Sequence, residues 1–105
     1  MGFALPGIIG AYYASKGPIV SVIGDGSVMM NLQELQTISG NKIPAKIFIL
    51  NNEGYHSIRQ TQHNYFNGRE IGCGKSSGLT FPSFKKIANA FNFKYFRIKN
   101  IKDCK

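Results

Sequence analysis

The sequence predicts an α/β protein in which an open parallel sheet is flanked by helices. Two short apolar runs rich in β-branched residues, 19–23 and 46–50, have the length of strands. The first is apolar on both faces, which is typical of a parallel strand covered by helices on both sides. The order strand, helix, strand within about thirty residues is that of a βαβ crossover.

The first predicted element is a helix that ends near residues 15–17. Its apolar face consists of Leu5, Ile8, Ile9 and Tyr12. Pro6 suits the first turn, where a missing backbone N–H removes no helical hydrogen bond. The first strand follows Pro18 and covers residues 19–23.

A second helix is predicted between the two strands. One of its faces is formed by Val28, Leu32, Leu35 and Ile38. Gly40 and Asn41 are plausible stop residues, and Pro44 lies just beyond them. The second strand covers residues 46–50.

The second half of the chain is less regular. Residues 54–65 are polar and compatible with a short helix, whereas residues 67–80 contain four glycines and two serines and are predicted to form a loop. Pro82 opens a third helix with Phe84, Ile87, Ala88 and Phe91 facing inward. A third strand is predicted at residues 94–98, and another helix from Asn100 onward.

Composition and charge limit the functional classes. With 105 residues, 43% of them hydrophobic, the chain is one domain or less and can bury a core. The formal charge of +8 suggests nucleic-acid binding. However, residues 85–105 contain seven basic side chains and one acidic, whereas residues 1–84 contain six basic and four acidic. The excess belongs to one terminal segment, which is more typical of a solvated face.

Targeting and redox signals are weak. The apolar runs are too short to cross a bilayer, and the N-terminal stretch lacks the basic leader of a signal peptide. Cys73 and Cys104 are far apart and form no CxxC pair. They are therefore interpreted as two inert thiols in a reducing, cytoplasmic compartment.

Polar residues follow both strands at the same edge of the predicted sheet. Asp25 comes directly after the first strand and Asn52 shortly after the second. Ligands of open parallel sheets lie beyond the carboxyl ends of the strands, so these side chains are expected to converge there. A carboxylate and a carboxamide suit Mg²⁺, which often shares its coordination shell with phosphates. Each motif alone is common in turns and loops, so their pairing carries the prediction.

The glycines around Asp25 have a separate expected role. Gly24 and Gly26 tolerate unusual backbone angles and allow a large anion to approach. The N–H groups of Gly26 and Ser27 are expected at the start of the second helix, where unpaired donors and the helix dipole favour phosphate.

The chain resembles the C-terminal cofactor domain of thiamine-diphosphate enzymes, in particular acetolactate synthase large subunits. Gly24-Asp25-Gly26-Ser27 and Asn51-Asn52 match the two halves of the cofactor motif, with 24 residues between Gly26 and Asn51. Residues 1–11 resemble the helix before the first motif, and residues 81–98 resemble the domain less specifically. Residues 1–105 are therefore expected to form one partial thiamine-diphosphate-binding domain.

The resemblance implies a role for individual residues. Asp25 and Asn52 would bind magnesium through their side chains, and Gly54 through its carbonyl. The diphosphate would contact Gly26, Ser27 and Tyr55, mostly through backbone groups. Gly24 and Asn52 would also belong to the cofactor-binding site, and Met1 matches the apolar residue that bends the cofactor. The cofactor then decarboxylates a 2-keto acid and passes the acyl group onward, while the protein holds and orients it.

The resemblance also implies partners. The glutamate that activates the cofactor would belong to an N-terminal pyrimidine-binding domain or subunit absent from this chain, and the complete enzyme would be a homo-oligomer. This chain would then be a fragment, truncated at both ends and inactive alone. The family does not identify the 2-keto acid or the acceptor, and His56 stands where relatives often have glycine.

For the other polar residues, an ordinary structural role is weighed against a functional one. Glu34 is interpreted as a surface or helix-pairing carboxylate rather than a catalytic group. His56 and His63 share a helix face, and only a proton-transfer role for His56 is retained. Arg59 and Arg69 either bind a substrate anion or are exposed to solvent. Lys85 and Lys86 are interpreted as the solvent-exposed face of the third helix. Two alternative functions remain: a non-catalytic interaction module and a basic nucleic-acid-binding domain.

Overall fold

The computed structural model of the chain describes residues 1–104, without Lys105 and without the side chain of Cys104. The prediction of an inert thiol at Cys104 therefore lies outside the described part. The described residues form five α-helices and two strands in the order α1 (Ala4–Ser15), β1 (Ile19–Gly24), α2 (Asp25–Met29), α3 (Glu34–Gly40), β2 (Ala45–Leu50), α4 (His56–Tyr65) and α5 (Phe84–Ala90). Single 3-10 turns cover Lys75–Ser77 and Ile101–Cys104. The predicted α/β class with an open parallel sheet and flanking helices is confirmed.

The two strands pair in parallel. Their register runs from Ile19 opposite Ala45 to Gly24 opposite Leu50, so both strands end at the same edge. This confirms the strand–helix–strand unit between residues 19 and 50. It also brings the two turns that follow the strands, at residue 25 and at residues 51–54, beside each other.

The core lies on one face of this sheet. It is built by side chains of α1, β1, α2 and α3 and of the turn before β2, namely Leu5, Ile8, Ile23, Val28, Leu35, Ile38 and Ile43. The aromatic face of α5 packs against it through Phe84 and Phe91. The expectation that β1 is covered on both faces is wrong for the described residues, because Val20 and Val22 are exposed on the opposite face.

The predicted single helix between the strands is two helices. Residues 30–33 form a tight turn in which successive N–H groups bond three residues back, for example Glu34 to the Asn31 carbonyl at 3.0 Å and Leu35 to the Leu32 carbonyl at 3.1 Å. The Asn31 side chain donates to the Gly2 carbonyl at 2.6 Å. This tertiary bond accompanies the break, which apolar periodicity alone did not indicate.

The predicted third strand at residues 94–98 is also wrong. This segment carries no regular structure, and its side chains are exposed; Phe96 exposes 81% of its surface. A strand needs a neighbour to receive its hydrogen bonds, and within residues 1–104 neither β1 nor β2 pairs with this segment. The short helix predicted in residues 54–65 is confirmed as α4, and the helix after Pro82 as α5.

No helix within residues 1–104 combines the length and apolar character needed to span a bilayer.

Candidate metal centre

Asp25 is the buried charged residue around which the two turns assemble. It is the first residue of α2, and none of its surface is exposed. Its Oδ1 accepts the Gly26 N–H at 2.7 Å, and its Oδ2 accepts the Glu53 N–H at 2.6 Å and the Gly54 N–H at 3.3 Å. Hydrogen bonds to an ionised acceptor are stronger than neutral ones, so they compensate burial of the carboxylate and tie the two turns together.

Asn52 brings a second polar side chain to this carboxylate. The amide orientation that satisfies both neighbours points the nitrogen at them, so Asn52 Nδ2 donates to Asp25 Oδ1 at 3.0 Å and to the Gly54 carbonyl at 2.7 Å. The two ends of the amide have nearly the same shape, so a half-turn would present its oxygen at the same position.

The chemistry of these groups suits a small divalent cation. A carboxylate, a carboxamide oxygen and a backbone carbonyl are oxygen ligands of the kind that Mg²⁺ takes, with water or phosphate oxygens completing its octahedron. The separations of 2.7 and 3.0 Å are ordinary lengths for the hydrogen bonds that Asn52 donates, and they show that the three groups lie close together. Asp25, Asn52 and Gly54, the residues that the sequence predicted as ligands, are therefore brought together and are compatible with magnesium in their chemistry.

Backbone geometry places the Gly54 carbonyl. Glu53 and Gly54 both have positive φ, 59° and 153°. A Cβ at position 54 would lie 2.1 Å from the Cys73 carbonyl oxygen, so only glycine fits. The loop at residues 72–74 packs this closely because Gly54 and Gly74 form an isolated antiparallel bridge and Tyr55 N–H donates to the Cys73 carbonyl at 2.8 Å.

Gly24 and Gly26 do not use the unusual backbone angles that glycine tolerates. Gly24 has extended angles, φ −72° and ψ 150°, and neither glycine is among those with positive φ. A Cβ at Gly26 would instead lie 2.5 Å from two ring atoms of Tyr55. The requirement for glycine at position 26 is therefore steric: it lets the aromatic ring lie on the backbone. A Cβ added at Gly24 would meet no atom within 4 Å.

The predicted phosphate donors are partly engaged. The Gly26 N–H is bonded to Asp25, and α2 is only five residues long, so a strong helix dipole is not available there. The Ser27 hydroxyl accepts the Gly2 N–H at 2.8 Å. This bond places Met1, 65% exposed, beside the start of α2.

The remaining predicted residues lie around α4 and the following loop. His56 and His63 are exposed and line one open cavity of about 290 Å³ together with Arg59 and Glu70. Among the side chains that the structure describes, no three from His, Cys, Asp or Glu form a metal cluster. Arg59 and Glu34 are half-buried, and Arg69 is exposed; Lys85 and Lys86 form the predicted wet face of α5.

Three contributors to the site were not predicted from the sequence. Glu53 acts through its backbone N–H, and the Cys73 carbonyl braces Tyr55; both are main-chain contacts that side-chain identity does not predict. Cys73 itself is fully buried, with its thiol 3.7 Å from Glu70 Oε2. Phe81 packs edge-on against Tyr55 with ring centroids 6.1 Å apart. In the sequence, only the many glycines of residues 67–80 indicated that the backbone of this loop could pack closely against another segment.

Comparison of the sequence with known proteins identifies the family of the chain. The sequence profile described as "Thiamine pyrophosphate enzyme, C-terminal TPP binding domain" matches residues 1–105. The chain is 41% identical to the acetolactate synthase large subunit of Porphyra purpurea over 101 residues, which are 95% of this chain and 17% of that protein. It is 37% identical to the large subunit of Cyanidium caldarium over 106 residues, 100% of this chain and 18% of that one.

A bacterial relative gives the same result. The acetolactate synthase isozyme 2 large subunit of Escherichia coli (strain K12) is 38% identical over 92 residues, 87% of this chain and 16% of that subunit. The chain thus spans about a sixth of the length of the curated relatives it matches.

Proposed function

The chain belongs to the family of thiamine pyrophosphate enzymes, as their C-terminal cofactor-binding domain, and on that premise we propose that it binds the diphosphate of the cofactor through Mg²⁺ held by Asp25, Asn52 and Gly54. One observation carries the proposal. The Asn52 amide lies 3.0 Å from a buried Asp25 oxygen and 2.7 Å from the Gly54 carbonyl, so three groups that can each supply an oxygen ligand to Mg²⁺ meet at one edge of the sheet.

Each residue has a distinct part in this binding. Asp25 supplies the negative charge, and the N–H groups of Glu53 and Gly54 hold its carboxylate in place. Asn52 would turn its amide from a hydrogen-bonding state to one that presents oxygen to the cation. Gly24, Gly26, Ser27 and Tyr55 would line the diphosphate, and Met1 would offer apolar contact to the remainder of the cofactor.

The bound cofactor would supply the electron chemistry for decarboxylation of a 2-keto acid. The relatives are named acetolactate synthases, so we propose a reaction of that class, with acyl transfer to a second molecule. The protein residues described here bind and orient the cofactor. The activating glutamate would come from a pyrimidine-binding domain or subunit, so we expect negligible turnover by this chain alone and activity in a larger, oligomeric assembly.

Calorimetric titration with thiamine diphosphate and Mg²⁺ tests the proposal. Asn52→Ala removes a proposed ligand from an exposed position, so the variant is expected to fold. Its cofactor affinity should fall roughly 10-fold or more, a loss typical of altered metal sites. Asn51→Ala is the matched control, because Asn51 is the neighbouring exposed asparagine, and its affinity should change less than about 2-fold.

Three outcomes would contradict the proposal. The first is equal binding of the cofactor with and without Mg²⁺, and the second is equal cofactor affinity in the two asparagine variants. The third is a chain that binds no cofactor even after addition of a pyrimidine-binding domain, which would instead be a non-catalytic module. Decarboxylation of pyruvate by the pure chain with cofactor and Mg²⁺ would contradict the expectation of negligible turnover.

A further inference from the structure

We propose that Arg59 binds the carboxylate of the 2-keto acid, in an open groove beside the candidate metal centre. This inference deepens the function proposed above and rests on it. It assigns a substrate contact to a residue of α4, which contributes no magnesium ligand.

Arg59 lines a groove that also includes Asn52, one of the proposed magnesium ligands. The groove has a volume of about 330 Å³ and is lined by Asn52, Glu53, Arg59, Glu70, Lys75 and Ser76. Arg59 also lines the adjoining cavity between α4 and Glu70. A ligand in this groove would therefore contact Arg59 while remaining next to Asn52, a proposed magnesium ligand.

Two glycines make room for the arginine head. A Cβ at Gly74 would lie 2.6 Å from Arg59 Nη2, and a Cβ at Gly54 would lie 2.9 Å from the same atom. The guanidinium thus rests on the backbone of the Gly54–Gly74 bridge, and the side chain is half-buried. Such packing limits the orientations of the planar group, so less conformational entropy is lost when it binds a ligand.

The hydrogen-bonding capacity of Arg59 is mostly unused. A guanidinium carries five N–H donors. Within residues 1–104, its one hydrogen bond is from Nη2 to the Glu53 carbonyl at 3.5 Å, the outer limit for such a bond. The donors that remain can form the two parallel bonds by which arginine binds a carboxylate.

The surrounding charges give no net attraction for a multiply charged anion. Lys75 adds a second positive charge to the groove, whereas Glu53 and Glu70 add two negative charges. One Glu70 oxygen, Oε2, is directed at the Cys73 thiol, 3.7 Å away. With positive and negative groups balanced, a multiply charged phosphate gains little from the net field. A 2-keto acid carboxylate would gain mainly from the directed contacts of the guanidinium fork.

Side-chain NMR of the chain measures this contact directly. Sodium pyruvate is titrated against sodium chloride at matched ionic strength while the Arg59 Nε–Hε signal is followed, with and without thiamine diphosphate and Mg²⁺. Pyruvate, but not chloride, should shift this signal in a saturable way. Arg59→Gln should weaken pyruvate binding at least about 10-fold, the loss expected for a charge-assisted bidentate contact. Arg69→Gln is the control, because Arg69 is exposed and lines neither cavity.

The same variants separate this inference from the proposed function. Because Arg59 supplies no magnesium ligand, Arg59→Gln should weaken pyruvate binding much more than cofactor binding. Equal pyruvate binding by wild type and Arg59→Gln, or equal shifts from chloride, would overturn the inference. A loss of cofactor affinity in Arg59→Gln without loss of pyruvate binding would also overturn it, since Arg59 would then contact the cofactor phosphate. Pyruvate binding at Arg59 in a chain that binds no cofactor, even after addition of a pyrimidine-binding domain, would support the anion contact while contradicting the proposed function.

Discussion

At the scale of single residues, the contact between Gly26 and Tyr55 shows how a small side chain shapes the candidate site. The Tyr55 ring lies where a Cβ of residue 26 would be, and Phe81 packs against the ring edge. Tyr55 is also held through its N–H by the Cys73 carbonyl. The ring therefore has little freedom to move aside, and the turn after β1 stays close to the turn after β2.

Gly26→Ala tests this contact. Alanine favours a helix by up to about 1 kcal/mol over glycine, but overpacking against the ring costs about 1–3 kcal/mol, so the net effect should be a loss of stability. The free energy of unfolding in urea measures it. Gly24→Ala, with no atom within 4 Å of the added Cβ, should change that free energy by less than about 0.5 kcal/mol.

A double variant makes the test specific. Tyr55→Ala removes the ring, so adding Gly26→Ala to that background should cost less than it does in wild type. Strict additivity of the two changes would contradict the proposed ring contact, because residues in contact show coupling energies and distant ones do not.

At the scale of secondary-structure elements, the N-terminal residues are attached to the segment between the strands. The Gly2 N–H donates to Ser27 Oγ at 2.8 Å, and the Gly2 carbonyl accepts from Asn31 Nδ2 at 2.6 Å. Ser27 lies on α2, and Asn31 lies in the turn before α3. The helix α2 and the turn that follows it thus each present one side chain to Gly2, and these bonds hold Met1 near the start of α2.

Ser27→Ala removes the acceptor of the Gly2 N–H. A hydrogen bond worth about 1 kcal/mol corresponds to a roughly 5-fold change in opening, so amide exchange at Gly2 should accelerate by about that factor. NMR exchange measurements would detect it. Ser39→Ala is the control, since Ser39 is a half-buried serine of α3. Equal exchange rates at Gly2 in wild type and Ser27→Ala would show that this bond does not hold the N-terminal residues.

At the scale of the whole molecule, one face of the sheet has no cover in the described residues. Val20, Val22, Phe48 and Leu50 expose between 45% and 68% of their surface on this face. The radius of gyration is 15.4 Å, whereas a compact chain of this length is expected to have about 13 Å. An exposed apolar patch of this kind promotes association, so self-association of the isolated chain is expected.

Val22→Lys should shift sedimentation toward the monomer, because a charge on this face opposes burial of the patch. Ile71→Lys is the matched control: Ile71 and Val22 are both 62% exposed, but Ile71 lies in the loop after α4. Sedimentation velocity over a range of concentrations measures both variants. A wild-type chain that stays monomeric, or two variants with the same sedimentation behaviour, would contradict this prediction.

The positions of the helices and strands were predicted from local sequence patterns, and these patterns were sufficient for four of the elements. Apolar runs identified β1 and β2, and helical spacing identified α1 and α5, because the signal for each element lies within its own residues. The same reasoning was wrong at residues 28–38 and 94–98. A turn bonded to the N-terminus interrupts the first segment, and the second has no partner strand among the described residues.

The sequence by itself determined the α/β class, the parallel pair and the position of Asp25 and Asn52 at one edge of the sheet, because strand ends and the residues after them are local features. Only the tertiary structure decided the distances among Asp25, Asn52 and Gly54, the Tyr55 ring over Gly26 and the arginine against Gly54 and Gly74. These contacts join segments far apart in the chain, and loops without periodicity position them, so their geometry follows from packing and main-chain hydrogen bonds that residue identity does not reveal.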